Sequence, residues 1–182
     1  STVENLKAWI GTLGTQRTSD GGQLGASGSG TITTTGSLAD WPDSGWCHVK
    51  TAAGATREVV YYTSRSATVL TVPAAGRSRL GTSNAAGAAD DTIDAVPGIR
   101  IASEAPSALA DGFVQTIVNE GTAPTGTIMS SWSVGITSAT GLTIGTLAAG
   151  ESYVLWIHRE IPAGATSTAS MVDSIRRSFS AV

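Results

Sequence analysis

Apolar and β-branched residues recur along the chain in short runs with polar residues between them, a pattern typical of β-strands. Glycine, proline and serine separate these runs at the spacing of turns in an all-β domain. Residues 46–50, 57–63 and 68–72 form three such runs in succession. The stretch 64–67 between the last two has the length and polarity of a hairpin loop. These runs therefore predict an antiparallel β-meander that buries one face.

Further strands are predicted on both sides of this meander. The run 153–157 is apolar on both faces, which is typical of the central strand of a sandwich, so Leu155 and Trp156 are expected to anchor a core. The stretch 85–91 predicts a loop, and the Gly- and Ser-rich stretch 19–30 predicts a flexible loop or linker. The other predicted strands are 31–35, 98–102, 113–119, 131–137, 142–147, 153–161 and 169–180.

The N-terminal residues fit two kinds of structure. Val3, Leu6 and Ile10 are spaced as on one face of a helix. Leu6 and Ile10 also lie on one face of a strand, and the following Gly11 and Gly14 weaken a longer helix. The hydrophobic pattern alone leaves both structures open.

Composition excludes two classes of function. Only 14% of the 182 residues are charged, the net charge is −3, and the eleven basic residues are scattered, so the clustered positive charge that nucleic-acid binding needs is missing. No apolar stretch approaches the roughly 20 residues of a membrane-spanning helix. The first residues lack the basic and hydrophobic segments of a signal peptide, so we expect synthesis in a cytoplasm.

The candidate bases and nucleophile are few. His48 and His158 are the only histidines, and both fit ordinary sheet residues beside tryptophans better than a general base. Cys47 precedes His48, but neighbours on a strand point to opposite faces, so a buried thiol is favoured over a nucleophile. A single cysteine also excludes an intrachain disulfide and a multi-thiolate metal site.

Two groups of carboxylates are candidates for a cation site or a catalytic pair. Asp90, Asp91 and Asp94 are close enough in sequence to bind a hard cation, but the segment lacks the further acids and the glycine of a calcium loop. Asp40 and Asp43 would be a glycosidase pair, yet nothing in the sequence places them across a sugar. The sequence therefore predicts no catalytic residue, no metal site and no cofactor.

Several short motifs follow one another between residues 41 and 97. They are Trp41-Pro42-Asp43-Ser44-Gly45, the run from Glu58 to Tyr62, the run from Thr68 to Thr71, Arg77, Gly81-Thr82 and Ala85-Ala86. In this order they resemble a module found repeatedly in structural proteins of tailed bacteriophages. The chain departs from that module at Ser78 and Asp90, where glycine is usual, and at Gly87, where histidine is usual.

A second pattern covers the C-terminal part. It consists of residues 142–152, 154–159 and 161–165, together with Asn5-Leu6-Lys7 near the N-terminus. It resembles the segment that closes an immunoglobulin-like sandwich in phage virion proteins, whose first strand comes from the N-terminus. The resemblance therefore implies a strand at residues 6–10.

The two resemblances together imply an all-β fold. We expect an immunoglobulin-like antiparallel β-sandwich, formed by residues 1–40 and 98–182, with a small β-meander or barrel-like module inserted at 41–97. They also imply a non-enzymatic structural component of a tailed-phage virion, associated with the tail or baseplate and made in the host cytoplasm. The family has no catalytic, cofactor-binding or metal-binding residues to carry over.

The implied partners are other virion proteins and copies of the same chain in a symmetric assembly. Candidate contact residues on the inserted module are Tyr61, Tyr62, Arg77 and Arg79. A capsid decoration protein is the close alternative. A receptor- or carbohydrate-binding module, acting on a host surface glycan, is another, and it predicts two exposed tryptophans near a polar cleft.

Overall fold

The structure is a computed structural model that describes residues 3–21, 24–103, 141–150, 155–161 and 176–181. Within these ranges the chain forms β-strands and two 3₁₀ turns, and every strand pairing is antiparallel. The prediction of an all-β fold is therefore confirmed. No helix in these ranges is both long and apolar enough to cross a membrane. The strands are β1 Val3–Trp9, β2 Arg17–Thr18, β3 Gly30–Thr33, β4 Gly45–Lys50, β5 Thr56–Tyr62, β6 Ser64–Arg65, β7 Val69–Val72, β8 Thr92–Val96, β9 Ile99–Ser103, β10 Leu142–Leu147, β11 Leu155–Arg159 and β12 Arg176–Ala181, and the 3₁₀ turns are Ala74–Gly76 and Arg79–Gly81.

The described residues divide into two compact units. The inserted module is predicted to begin at residue 41. The structure groups residues 12–40 with 41–98 instead, because β2 pairs with β8 and β3 pairs with β7. We call this the barrel unit, and the other the two-sheet unit. The barrel unit comprises 12–21, 24–98 and Ile161, and the two-sheet unit comprises 3–11, 99–103, 141–150, 155–160 and 176–181.

The strands of the barrel unit follow one another around a closed barrel. One sheet has the order β2-β8-β4-β5 and the other has the order β3-β7-β6. Only Thr63 separates β5 from β6, and its N–H donates to Thr71 O at 3.0 Å, so the chain carries one sheet into the other. On the opposite side a bridge between Ser19 and Thr34 joins β2 to β3. The prediction of 64–67 as a hairpin loop between paired strands is therefore wrong, because Ser64–Arg65 form β6, which pairs with β7, while β5 lies in the other sheet.

The barrel encloses a continuous hydrophobic core. Alternate residues of β4, β5 and β8 point inward, as the two-residue period of a strand requires. The loops contribute as well, since Leu24, Leu38 and Trp41 are buried in the same cluster. The core residues are Leu24, Ile32, Leu38, Trp41, Cys47, Val49, Val60, Tyr62, Leu70, Val72, Ile93 and Ala95.

Strand β8 was not predicted, although it lies between β2 and β4. Ile93 and Ala95 face the core, while Asp94 between them is equally buried on the other face. An aspartate in the middle of five residues lowers the apparent β-propensity. Its burial becomes acceptable only because Lys50 of the neighbouring strand neutralises it.

The described part of the stretch 19–30 is tied to the barrel, although its composition predicts a flexible loop. Leu24 is buried in the core, and its carbonyl accepts a hydrogen bond from Gly87 N at 2.9 Å. The carbonyls of Gly25 and Gly28 accept hydrogen bonds from Arg77. The glycines here let the backbone approach the buried guanidinium of Arg77 closely, rather than making the segment flexible.

The two-sheet unit contains two sheets that bring the N-terminal and C-terminal strands together. β1 lies between β10 and β12, and β9 pairs with β11. β1 spans Val3–Trp9, so the strand implied by the resemblance is confirmed and the helical alternative is wrong. The core residues of this unit are Ala8, Ile10, Ile99, Ile101 and Ile144, with Leu142, Leu147 and Leu155 packed against them.

Residues 155–157 of the predicted run 153–157 form the first part of β11. Leu155 packs against the core, but Trp156 is half-buried and Ile157 is exposed. Within the described ranges β11 pairs with β9 alone, so its place as a central strand stays a prediction. The strands predicted at 113–119 and 131–137 lie outside the described residues.

Candidate functional site

Arg77, one of the predicted contact residues, forms a buried ion pair with Glu58 on β5. Arg77 Nε donates to Glu58 Oε1 at 2.9 Å, and Nη2 donates to Oε2 at 2.7 Å. The two side chains are 2% and 1% exposed. This two-bond geometry fixes the orientation of both groups as well as their separation.

The polar atoms around this ion pair are satisfied by backbone groups. Glu58 accepts hydrogen bonds from Ser78 N at 2.6 Å and Ala85 N at 2.9 Å. Arg77 donates to the carbonyls of Gly25, Gly28 and Ala85 at 2.8 to 3.1 Å. The pair therefore fastens two loops to β5, and Arg77 has no surface to offer to another subunit.

Tyr62 is likewise an internal residue. It is fully buried, and its hydroxyl donates to Pro42 O at 3.0 Å. Its ring lies 6.3 Å from that of Trp41, whose Nε1 donates to Thr15 O at 2.8 Å. Burial raises the pKa of the Tyr62 phenol well above its usual range. Tyr62 thus anchors the core, which leaves Tyr61 and Arg79 as the predicted contact residues with accessible surface.

Tyr61 and Arg79 are both half-buried. The ring of Tyr61 meets Trp46 edge to face, with 5.1 Å between the ring centroids. Arg79 Nη2 donates to the carbonyl of Ala75. Their role as contacts between subunits stays a prediction.

A second polar group lies on β4 and β8, on the face turned away from the barrel core. Lys50 Nζ lies 2.6 Å from Asp94 Oδ2, and Gln16 Nε2 donates to both carboxylate oxygens of Asp94 at 3.1 Å. His48 is the cross-strand neighbour of Asp94, and its Nε2 lies 2.9 Å from Thr56 Oγ1. We call these five residues the His48 cluster. The sequence points to His48 and Asp94 only as separate candidates, because the pairing of β8 with β4 is what brings them beside Lys50 and Gln16.

The environment of His48 keeps its ring neutral. Burial, and then the positive charge of Lys50, lower the pKa of His48 to about 4, against the opposing effect of Asp94. Cys47, next to it, points into the core, where burial raises the pKa of the thiol well above its usual range. The two side chains therefore lie on opposite faces, as expected for strand neighbours.

We expect the free energy of unfolding to fall by about 3 kcal/mol between pH 6.5 and pH 4 because of His48. Above pH 6.5 the ring is neutral in both states, whereas between the two pKa values only the unfolded chain takes up the proton. Urea unfolding across this pH range measures the effect. His48→Gln is expected to flatten the pH dependence relative to wild type, and His158→Gln is the control that keeps the slope. Identical slopes in wild type and His48→Gln would contradict the prediction.

Four of the five carboxylates considered as sites, those of Asp40, Asp43, Asp91 and Asp94, are engaged in ion pairs. Asp91 accepts from Arg57 Nε and from Ala88 N, both at 2.8 Å. Asp40 pairs with Arg17 at 2.6 Å, and the hydrogen bond from Thr15 N, together with Arg17, lowers the pKa of Asp40. Within the described ranges, no group of three or more histidine, cysteine or acidic residues is placed to hold a metal ion.

The tryptophans do not form an exposed platform in the described part of the chain. Trp41 is buried, and Trp9, Trp46 and Trp156 are half-buried. Trp132 lies outside the described residues. In the two-sheet unit, the second histidine, His158, accepts at Nδ1 a hydrogen bond of 3.2 Å from Arg100 Nε on the paired strand.

Comparison of the chain with protein-family models, with curated proteins and with solved structures finds no match.

Proposed function

We propose that this chain is a non-enzymatic structural component of a tailed-phage virion, associated with the tail or baseplate. It would be made in the host cytoplasm and act by repeated docking to other virion proteins and to copies of itself. Copies arranged by rotational symmetry repeat each contact, so weak patches gain strength through multivalency. The resemblance of residues 41–97 to the phage module is the origin of this proposal, and the backbone of the barrel unit supports it.

The observation that carries the proposal concerns the places where the chain departs from the phage module. Ser78 and Asp90 have φ angles of 54° and 65°, the left-handed region that glycine adopts without strain. Glycine is usual in the module at both positions. A Cβ on Gly87 would lie 3.5 Å from Leu24 Cβ, which is an ordinary van der Waals contact. The Cβ of the histidine that is usual there would therefore not clash. The backbone thus suits the module's residues at its three departures.

The matching residues also contact one another. Tyr62 bonds to Pro42 in the opening motif, Glu58 binds Arg77, and Thr82 Oγ1 accepts a hydrogen bond from Val59 N at 2.9 Å. A sequence pattern whose members hold each other in place encodes a rigid framework. A rigid framework presents the same surface in every copy, which is what a particle component needs.

We further propose that the two-sheet unit is the immunoglobulin-like sandwich that the second resemblance implies. β1 lies between β10 and β12, and the pattern likewise takes its first strand from the N-terminus. A single hydrophobic cluster draws residues from both sheets, with Ala8 from β1, Ile144 from β10, and Ile99 and Ile101 from β9. Two sheets sharing one core is the basic arrangement of a sandwich.

The backbone argument predicts a difference between two substitutions at Asp90. Both Asp90→Gly and Asp90→Ala remove the same exposed carboxylate, but only glycine relieves the positive φ. We expect the free energy of unfolding of Asp90→Gly to exceed that of Asp90→Ala by about 1 kcal/mol. Chemical denaturation of the two variants measures this difference. Equal stabilities would remove the support that Asp90 gives to the resemblance.

The proposed function is tested on the particle. Virions from the phage that encodes this chain are dissociated, heads and tails are separated on a gradient, and each fraction is analysed by mass spectrometry. We expect the chain in intact particles and in the tail fraction. Recovery with heads alone would identify a capsid decoration protein instead, and absence from purified particles would overturn the proposal.

A further inference from the structure

The His48 cluster brings an amine and a carboxylate together away from water. The side chains of Lys50 and Asp94 are 10% and 2% exposed, and Nζ lies 2.6 Å from Oδ2. They come from the neighbouring antiparallel strands β4 and β8, whose pairing holds the two groups side by side. Nζ and the Asp94 carboxylate are therefore held at hydrogen-bond distance, which raises their effective concentration.

The neighbouring groups are those that such a reaction uses. His48 lies two residues before Lys50 on β4 and opposite Asp94 on β8, so the three side chains share one face. His48 Nδ1 is buried and has no hydrogen-bond partner among the described residues, while Nε2 is held by Thr56. Gln16 Nε2 donates to both oxygens of Asp94. The cluster thus contains a spare proton acceptor and a donor directed at the carboxylate.

We propose that Lys50 and Asp94 condense spontaneously into an intramolecular amide bond that covalently joins β4 to β8. The Nζ–Cγ bond forms as one C–O bond of the Asp94 carboxylate breaks. Lys50 Nζ gives up two protons, and the departing oxygen takes up both and leaves as water. Charge is conserved because the ammonium and the carboxylate disappear together, and no oxidant or reductant is required.

Each neighbouring group has a defined part in this step. The neutral imidazole of His48 accepts a proton from Lys50 at Nδ1 and passes it to the departing oxygen. At neutral pH the imidazole is uncharged, so its unprotonated ring nitrogen has a lone pair that can accept a proton. Gln16 stabilises the negative charge on the remaining oxygen of the tetrahedral intermediate. Burial of the Lys50 and Asp94 side chains favours condensation over hydrolysis.

The product would close a covalent loop from residue 50 to residue 94. That loop contains both 3₁₀ turns and three of the seven strands of the barrel unit, β5, β6 and β7. A cross-link of this kind restricts the unfolded chain, as a disulfide does. It would do so in a barrel unit whose cysteine, Cys47, has no cysteine partner in this chain.

The mass of the purified full-length chain under denaturing conditions tests the proposal. We expect wild type to be lighter than its sequence by one water molecule, and we expect a digest to yield one branched peptide joining the segments around Lys50 and Asp94. Lys50→Arg keeps the positive charge beside Asp94 but cannot form this amide, so it should show the full sequence mass. A folded wild-type chain with the full sequence mass would overturn the proposal.

The part played by His48 is tested by the rate of cross-linking. Intact mass is followed with time after cell-free synthesis of wild type, His48→Gln and the control His158→Gln. We expect His48→Gln to cross-link about 100-fold more slowly, and His158→Gln to match wild type. Equal rates in wild type and His48→Gln would overturn the proton transfer through His48.

Discussion

Replacing Glu58 with alanine is expected to destabilise the chain by about 3–5 kcal/mol, because it leaves the buried guanidinium of Arg77 without a counter-charge. The substitution also removes the acceptor for two backbone N–H groups, those of Ser78 and Ala85. Three carbonyls remain around Arg77, but they do not neutralise its charge. Urea unfolding followed by tryptophan fluorescence measures the loss.

An exposed ion pair provides the matched control for Glu58. Asp43 lies 3.0 Å from Arg65, and its side chain is 94% exposed. Asp43→Asn removes this charge pair at the surface, where such pairs contribute at most about 1 kcal/mol. A loss in Glu58→Ala no larger than that in Asp43→Asn would mean that the buried pair does not hold the loops to β5.

Replacing Trp41 with alanine is expected to cost about 3–5 kcal/mol, the range for removing a large aromatic side chain from a core. Trp41 is 2% exposed, packs near Tyr62 and donates from Nε1 to Thr15 O. The alanine variant leaves a cavity at the barrel core and loses the hydrogen bond to Thr15 O, which keeps its second donor, Arg17 Nη1. The measurement is the free energy of unfolding of the purified variant.

The comparison with Trp156 makes this prediction specific. Trp156→Ala should cost less than Trp41→Ala, because Trp156 is half-buried. The sequence predicts Leu155 and Trp156 as core anchors, since the run 153–157 is apolar on both faces. If Trp156→Ala proved the more destabilising variant, the assignment of Trp41 as the chief aromatic anchor of the fold would be wrong.

Strands were predictable from the sequence where residues alternate cleanly or where β-branched runs end at a turn. β4, β5, β7 and β10 lie within one or two residues of their predicted bounds. β8 was missed because aspartate has a low β-propensity, so Asp94 in the middle of five residues makes the segment resemble a loop. The curvature that closes the barrel was not predictable either, since it depends on single bonds such as the Ser19–Thr34 bridge.

The candidate site was predictable only in its residue types. The motif containing Glu58, Tyr62 and Arg77 was recognised, but a pattern of residue types does not tell an outward contact from an inward one. Tyr62 and Arg77 are internal because strand register turns them toward the core and the loops. The Lys50–Asp94 pair depends on the register of β4 against β8, which no spacing within the sequence specifies.

The order of the barrel strands has a consequence for how copies of this chain can contact one another. Flat sheets expose backbone edges, and such edges recruit strands from neighbouring chains into aggregates. In the barrel unit the order of strands returns through Ser19 and Thr34 to the strand where it began. Copies of the chain can therefore contact one another at the barrel through side chains and loop tips. Mutation can change these one residue at a time without exposing a strand edge that promotes fibril formation.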